Sequence, residues 1–174
     1  MTKWLALLRG VNVGGVKVLM EPLRDLAEGL GWTGVQTYIA SGNMVFSAVG
    51  EEENLADILH AALKADIGVD TPTMVLSAAK IQAVLAKHPW QPEKGSQSHV
   101  YFCWGTPVID EALYGGLKAP EEELRVVDGQ VHFYAPAGIG RSKLAEKLGK
   151  VVQGSEMTGR NLNTVRRLVE MVRY

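Results

Sequence analysis

An α+β fold of two tandem ferredoxin-like halves with antiparallel sheets is what the sequence predicts. Three observations carry this. The apolar patterns read β-α-β-β-α, and the pattern runs through twice. Each half holds a short-loop hairpin signal, Ser41-Gly42-Asn43 in the first and Asp128-Gly129 in the second, built from residues that accept positive φ. The first strand, Lys3–Arg9, is largely apolar on both faces, as a central strand is. Such units form antiparallel sheets backed by helices. The halves divide as 1–89, with a connecting helix, and 90–174, with a C-terminal helix. The stretch Trp90–Ser98, bearing Pro92 and Gly95, is the linker.

The elements follow in order. In Lys3–Arg9, Trp4, Ala6 and Leu8 take one face, and Leu5 and Leu7 the other. A helix over about Met20–Leu30 repeats Met20, Leu23, Ala27 and Leu30 at three- and four-residue steps, with Pro22 tolerated in its first turn and Gly31 as its stop. Val35–Ala40 and Met44–Ser47 form the hairpin strands. A second helix, Glu52–Ala65, opens on acidic residues that suit its dipole. Thr73–Leu76 closes the first half, and Ser77 caps a helix over Ala78–Lys87 that ends before His88-Pro89. The second half reads as a strand at His99–Trp104, a short helix at Val108–Leu113, and a hairpin of Leu124–Val127 with Val131–Tyr134. A helix follows Arg141-Ser142-Lys143 to about Leu148, and a last helix spans Leu162–Arg173.

Composition excludes several classes. Apolar residues at 47% are enough to fill an interior, and a net charge of −1 provides no global field for nucleic acid or an anionic membrane. The one cysteine, Cys103, permits no disulfide within the chain, which suits a reducing cytoplasm, and it reads as a small core residue. No stretch reaches membrane-spanning length, so no membrane partner is expected. His60, His88, His99 and His132 lack metal spacing, and no cofactor motif is present: the expectation is no metal and no cofactor.

Leu7-Leu-Arg-Gly-Val-Asn-Val-Gly-Gly15, Thr37-Tyr-Ile-Ala-Ser-Gly-Asn-Met-Val-Phe46 and Thr158-Gly-Arg-Asn-Leu-Asn-Thr164 resemble the three signatures of an uncharacterised, mostly bacterial family, domain of unknown function 1697. The similarity runs from Lys3 to Val172. It implies the same α+β fold of two ferredoxin-like subdomains, and no activity. Two positions depart from the family pattern: Leu162 replaces a usual tryptophan, and Gly159 replaces alanine or threonine.

Candidate sites follow from polar, glycine-bearing segments. Gly10–Lys17 lies between a strand and a helix, where phosphate loops lie, and Gly10 and Gly15 have that spacing. Val16 stands where the lysine is needed and Lys17 where Ser or Thr is needed, so a P-loop is excluded. Where the strand order is 4-1-3-2, the end of the first strand and the hairpin share one sheet edge. That order brings Arg9, Asn12, Gly14 and Gly15 close to Ser41 and Asn43. Self-capping loop chemistry is the competing account of Asn12 and of Ser41-Gly42-Asn43. Arg141 in Gly138–Lys143, and Arg160, Asn161 and Asn163 in the last motif, place cations and amides at helix starts, where anions are favoured and positive charge alone is not. Capping by Asn161 is the competing account there. From Arg141 to Arg173 eight basic residues stand against three acidic ones.

Three functions remain open. The first is a cytoplasmic binding module for a small anionic ligand (nucleotide, phosphorylated metabolite or RNA) in a cleft at the end of the first strand. Its residues are Arg9, Asn12, Gly14, Gly15, Ser41, Asn43, Arg141, Arg160, Asn161 and Asn163. RNA has less support, because the aromatic-rich motif of sheet-face readers is missing. The second is a cofactor-independent enzyme acting on such a ligand, for which no general base stands out. The third is a scaffold or dimerisation domain.

Overall fold

A computed structural model describes residues 1–10, 17–39 and 42–173. It is an α+β fold with two four-stranded antiparallel sheets. The chain divides into two compact units, Met1–Ala83 with Arg167–Tyr174, and Val84–Arg166. The sequence pattern draws the boundary at Pro89 and keeps the last helix whole in the second half. In the structure the chain passes from one unit to the other inside the helix Ala78–Ala86 and again inside the last helix, because helical periodicity carries no mark of which core each turn joins.

In the first unit β1 (Thr2–Leu8) is followed by α1 (Met20–Gly29), β2 (Thr33–Thr37), β3 (Asn43–Ala48), α2 (Glu52–Ala62), a π-helical turn (Leu63–Ile67) and β4 (Thr73–Ser77). The strand order is β2-β3-β1-β4. This is the 4-1-3-2 order on which the candidate site depends. β1 pairs antiparallel with β3, Trp4 opposite Phe46, and with β4, Leu5 opposite Leu76. Trp4, Ala6 and Leu8 join Met44 and Phe46 from β3 in one core with Leu23 and Ala27 of α1 and Leu55 and Leu59 of α2. Trp32 stacks on Phe46 with centroids 4.1 Å apart. Leu5 and Leu7, on the opposite face, are also fully buried. α3 (Ala78–Ala86) begins at Ser77, whose hydroxyl accepts from Lys80 N at 3.1 Å, as the sequence predicts.

The second unit repeats the topology. β5 (Ser98–Cys103) leads to β6 (Val108–Ile109), α4 (Glu111–Leu117), β7 (Glu123–Val127), β8 (Gln130–Tyr134), α5 (Lys143–Glu146), α6 (Leu148–Val151), β9 (Val152–Gln153), β10 (Met157–Asn161) and α7 (Leu162–Arg173). The large sheet has the order β10-β5-β8-β7, so each unit places its first strand between its third and fourth. Asp128 and Gly129 both take positive φ in the β7–β8 turn, as an Asp-Gly hairpin requires.

Three sequence expectations are corrected. Val108–Ile109 is not the start of a helix: it pairs with β9 as a two-stranded ribbon, and α4 begins only after Asp110 accepts from Leu113 N at 3.0 Å. The helix read to Leu148 is two single turns, α5 and α6. Met157–Asn161, part of the stretch read as an anion-binding or helix-capping motif and not as a strand, is the fourth strand of the second sheet. Its Gly159 and polar residues hide a strand signal that long-range pairing supplies.

The pairing also explains Gly159. It lies opposite Tyr101 on β5, and a β-carbon there would come within 2.6 Å of the tyrosine ring. Gly159→Ala is expected to cost about 1–3 kcal/mol, as overpacking does. The loss should shrink in a Tyr101→Val background, measured by urea unfolding as a double-mutant cycle. Phe46→Ala in the first core is expected to cost about 3–5 kcal/mol in the same assay.

Candidate functional site

At the C-terminal end of β1 the apolar run gives way to Arg9, and the ladder continues past it on both sides. Leu8 N donates to Gly42 O at 2.9 Å, tying β1 to the hairpin tip, and Arg9 N donates to Pro72 O at 3.0 Å. The Thr71 hydroxyl donates to Arg9 O. The arginine backbone is thus clamped while its side chain is exposed. Gly10 follows at φ 68°, a left-handed conformation that favours glycine and does not continue a strand. The structure therefore brings Arg9 and the Gly42–Asn43 end of the hairpin to one sheet edge. Asn12, Gly14, Gly15 and Ser41, the other candidates at this edge, lie outside the described residues.

Asn43 has a structural task. It is fully buried, its Nδ2 donates to Tyr38 O at 3.0 Å, and its main-chain carbonyl accepts from Tyr38 N at 3.1 Å, closing the hairpin. Ile39 within this hairpin takes φ 45° and remains half exposed, a conformation costly for a β-branched residue.

The second-unit candidates fall into two groups. Arg160 is buried in β10, and its Nη1 donates to Thr158 Oγ1 at 2.7 Å and to Gly159 O at 2.8 Å. Burial lowers its guanidinium to about 10. Asn161 caps α7, accepting from Thr164 N at 2.9 Å. Asn163 is exposed, with its amide packed against Gly95. Arg141 is exposed and precedes α5, a single turn whose first N–H groups are served by Ser142, which accepts from Ala145 N at 3.0 Å. Arg160 and Asn161 are therefore occupied by the protein's own oxygens and amides.

Sequence reasoning missed two further features. Gln36, Arg167, Glu170, Met171 and Arg173 line an open groove of about 460 Å³ in the first unit, where Arg167 Nη1 pairs with Glu170 at 3.1 Å. The excess of basic residues after Arg141 is the signal that covers it, but nothing in the sequence pairs it with Gln36. The second is a histidine pair. His88 Nδ1 and His132 Nδ1 lie 2.7 Å apart although 44 positions separate them. Burial drives both imidazoles down to about 4, with Arg166 adding to the effect on His88, and His88 to that on His132. Trp90, at the start of the stretch read as the linker, stacks on Tyr134, donates its indole N–H to Glu123 Oε2 at 2.7 Å and lies under Arg125. Burial pushes the Cys103 thiol up, which suits a core residue and not a thiolate nucleophile.

A family model described as a protein of unknown function, DUF1697, matches residues 1–132. The chain belongs to the DUF1697 family. That span holds β1, the glycine loop and the first hairpin, and with them the clamped Arg9. Among solved structures the DUF1697 chain is similar to the conserved bacterial protein SP0830 from Streptococcus pneumoniae. The two are 25% identical with a TM-score of 0.77, and the match covers 98% of each chain. The fold is therefore shared over nearly the whole of that neighbour. The comparison with curated proteins returned no match.

The two arginines should separate cleanly. Arg9→Ala is expected to change stability by less than about 0.5 kcal/mol, as an exposed substitution does. Arg160→Ala is expected to lose about 1–3 kcal/mol, because Thr158 and the Gly159 carbonyl lose a buried charged donor. Thermal unfolding of the two variants side by side checks both.

Proposed function

We propose that this protein is a cytoplasmic binding module for a small anionic ligand, a nucleotide or phosphorylated metabolite, held at the C-terminal end of β1. The observation that carries this reading is the presentation of Arg9. Its backbone is fixed between the hairpin and the Thr71–Pro72 segment while the residue is exposed. An arginine on a rigid strand end is a pre-organised fork for phosphate or carboxylate. Asn12, Gly14, Gly15 and Ser41, which follow Arg9 and precede Gly42 in the sequence, complete the proposed site.

A small ligand suits the sheet better than RNA. Sheet-face RNA readers need an open face with aromatic platforms, whereas Trp4 through Leu8 are all buried. The cytoplasmic part of the reading rests on the single buried cysteine and on the absence, among the described residues, of a helix long and apolar enough to cross a membrane.

The test is a thermal-shift screen of nucleotides and phosphorylated metabolites, followed by calorimetry on any hit. Binding is expected to raise the melting temperature. Arg9→Ala should weaken affinity at least about tenfold, the loss of one charged hydrogen bond. A panel that shifts nothing, or a hit that Arg9→Ala binds unchanged, refutes the site.

A further inference from the structure

We propose that His88 and His132 form a one-proton latch that holds residues 87–90 against the β7–β8 hairpin and opens on acidification. Within the second unit this short segment crosses the hairpin with four attachments. The Lys87 ammonium pairs with Asp128 in the hairpin turn. His88 Nδ1 meets His132 Nδ1 on β8 at 2.7 Å. Trp90 Nε1 donates to Glu123 Oε2 on β7 at 2.7 Å, and the Trp90 ring stacks on Tyr134 of β8 with centroids 5.6 Å apart. In the histidine contact the acceptor is itself a ring nitrogen, so one added proton removes it.

Two imidazole nitrogens at hydrogen-bond distance require one N–H and one lone pair between them. His88 Nε2 decides which is which. It is buried and has no hydrogen-bond partner. If His88 accepted at Nδ1, its neutral ring would carry the proton at Nε2, an N–H buried with nothing to receive it. If His88 donates at Nδ1, the buried Nε2 is only a bare lone pair, the cheaper of the two orphans. The geometry therefore assigns His88 as the Nδ1–H tautomer donating to His132 Nδ1, and His132 as the Nε2–H tautomer.

A further proton has no good place to go. On His132 Nδ1 it would set two N–H groups face to face and break the contact. On His88 Nε2 it would create the orphaned buried donor. The charged neighbours oppose either cation. Arg166 on α7 acts on His88. Arg125 on β7 stands directly opposite His132, and Arg160 on β10 lies in the same cross-strand row through Val100. On the segment itself Lys87 is cationic. The carboxylates at hand are engaged elsewhere, Asp128 with Lys87 and Glu123 with the Trp90 indole. Burial lowers both rings from 6.5 to about 4. A depressed histidine contributes stability that is complete above pH 6.5 and drains away as pH falls toward 4. The two rings titrate as a coupled pair.

The test uses the intact protein. Long-range proton–nitrogen NMR of wild type at pH 7 is expected to find His88 protonated at Nδ1 and bare at Nε2, with His132 the reverse. On titration, amide-exchange protection over residues 87–90 and 131–133, corrected for intrinsic rates, should fall together between pH 6 and 4. Protection of α1 and α2 should persist over that range. His132→Phe should leave 87–90 weakly protected at pH 7 and remove the pH dependence. Lys87→Ala should lower protection without moving its midpoint. An Nε2–H tautomer at His88, protection that survives until the whole chain unfolds, or a midpoint that moves with Lys87→Ala overturns the latch. If His132→Phe does not fold, the wild-type tautomers and exchange profile decide alone.

Discussion

Enclosure of β1 on both faces and both edges is the constraint on which the first unit rests. Trp4 through Leu8 are buried, Trp4, Ala6 and Leu8 against α1 and α2, and the strand is laddered to β3 and β4. Burying each large apolar side chain contributes about 1.5–3 kcal/mol. A slip of one residue would exchange the whole Trp4, Ala6, Leu8 set with Leu5 and Leu7. The register therefore holds, and so does the point at which the strand must stop. That point is Arg9, a charge that cannot follow the apolar run inward. Its fixed backbone and exposed side chain are consequences of the core behind it.

The second unit keeps the topology and changes the chemistry. Its helix-facing side is apolar, with Val131, Phe133, Leu144, Leu148 and Val151 in one cluster. The opposite side of the sheet buries Ser98, His132, Thr158 and Arg160 among apolar residues. Buried polar groups need partners, and two of these find them locally, whereas the Ser98 hydroxyl has none. Arg160 reaches the Thr158 hydroxyl and a neighbouring carbonyl, and His132 meets His88. The same low-dielectric setting that holds these contacts drives the imidazoles and the guanidinium down and the Cys103 thiol up.

The site at the end of β1 was legible to the extent that local sequence could carry it. Arg9 announced itself because a charge ended an apolar run beside glycines, and the hairpin because Gly and Asn punctuate two strands. Asn43 and Asn161 read equally well as ligand groups or as backbone partners, since an amide serves both ends. Only the positions of Tyr38 O and Thr164 N distinguish the two. The groove along α7 and the histidine pair left no such mark. Gln36 and Arg167, like His88 and His132, are far apart in sequence, and no local pattern relates them.

What the sequence determined alone is the alternation of apolar residues, the turns and caps, and hence two α+β halves, the first with a central first strand. These depend on neighbours within a few residues, where propensity and periodicity act. What only the tertiary structure decided is β10, the β6–β9 ribbon, and the partner of each buried polar group. Met157–Asn161 becomes a strand because β5 offers it a ladder, and His88 becomes half of a pair because β8 carries His132 beneath it. Both outcomes are set by which surfaces meet when the chain closes, and such meetings have no local signature.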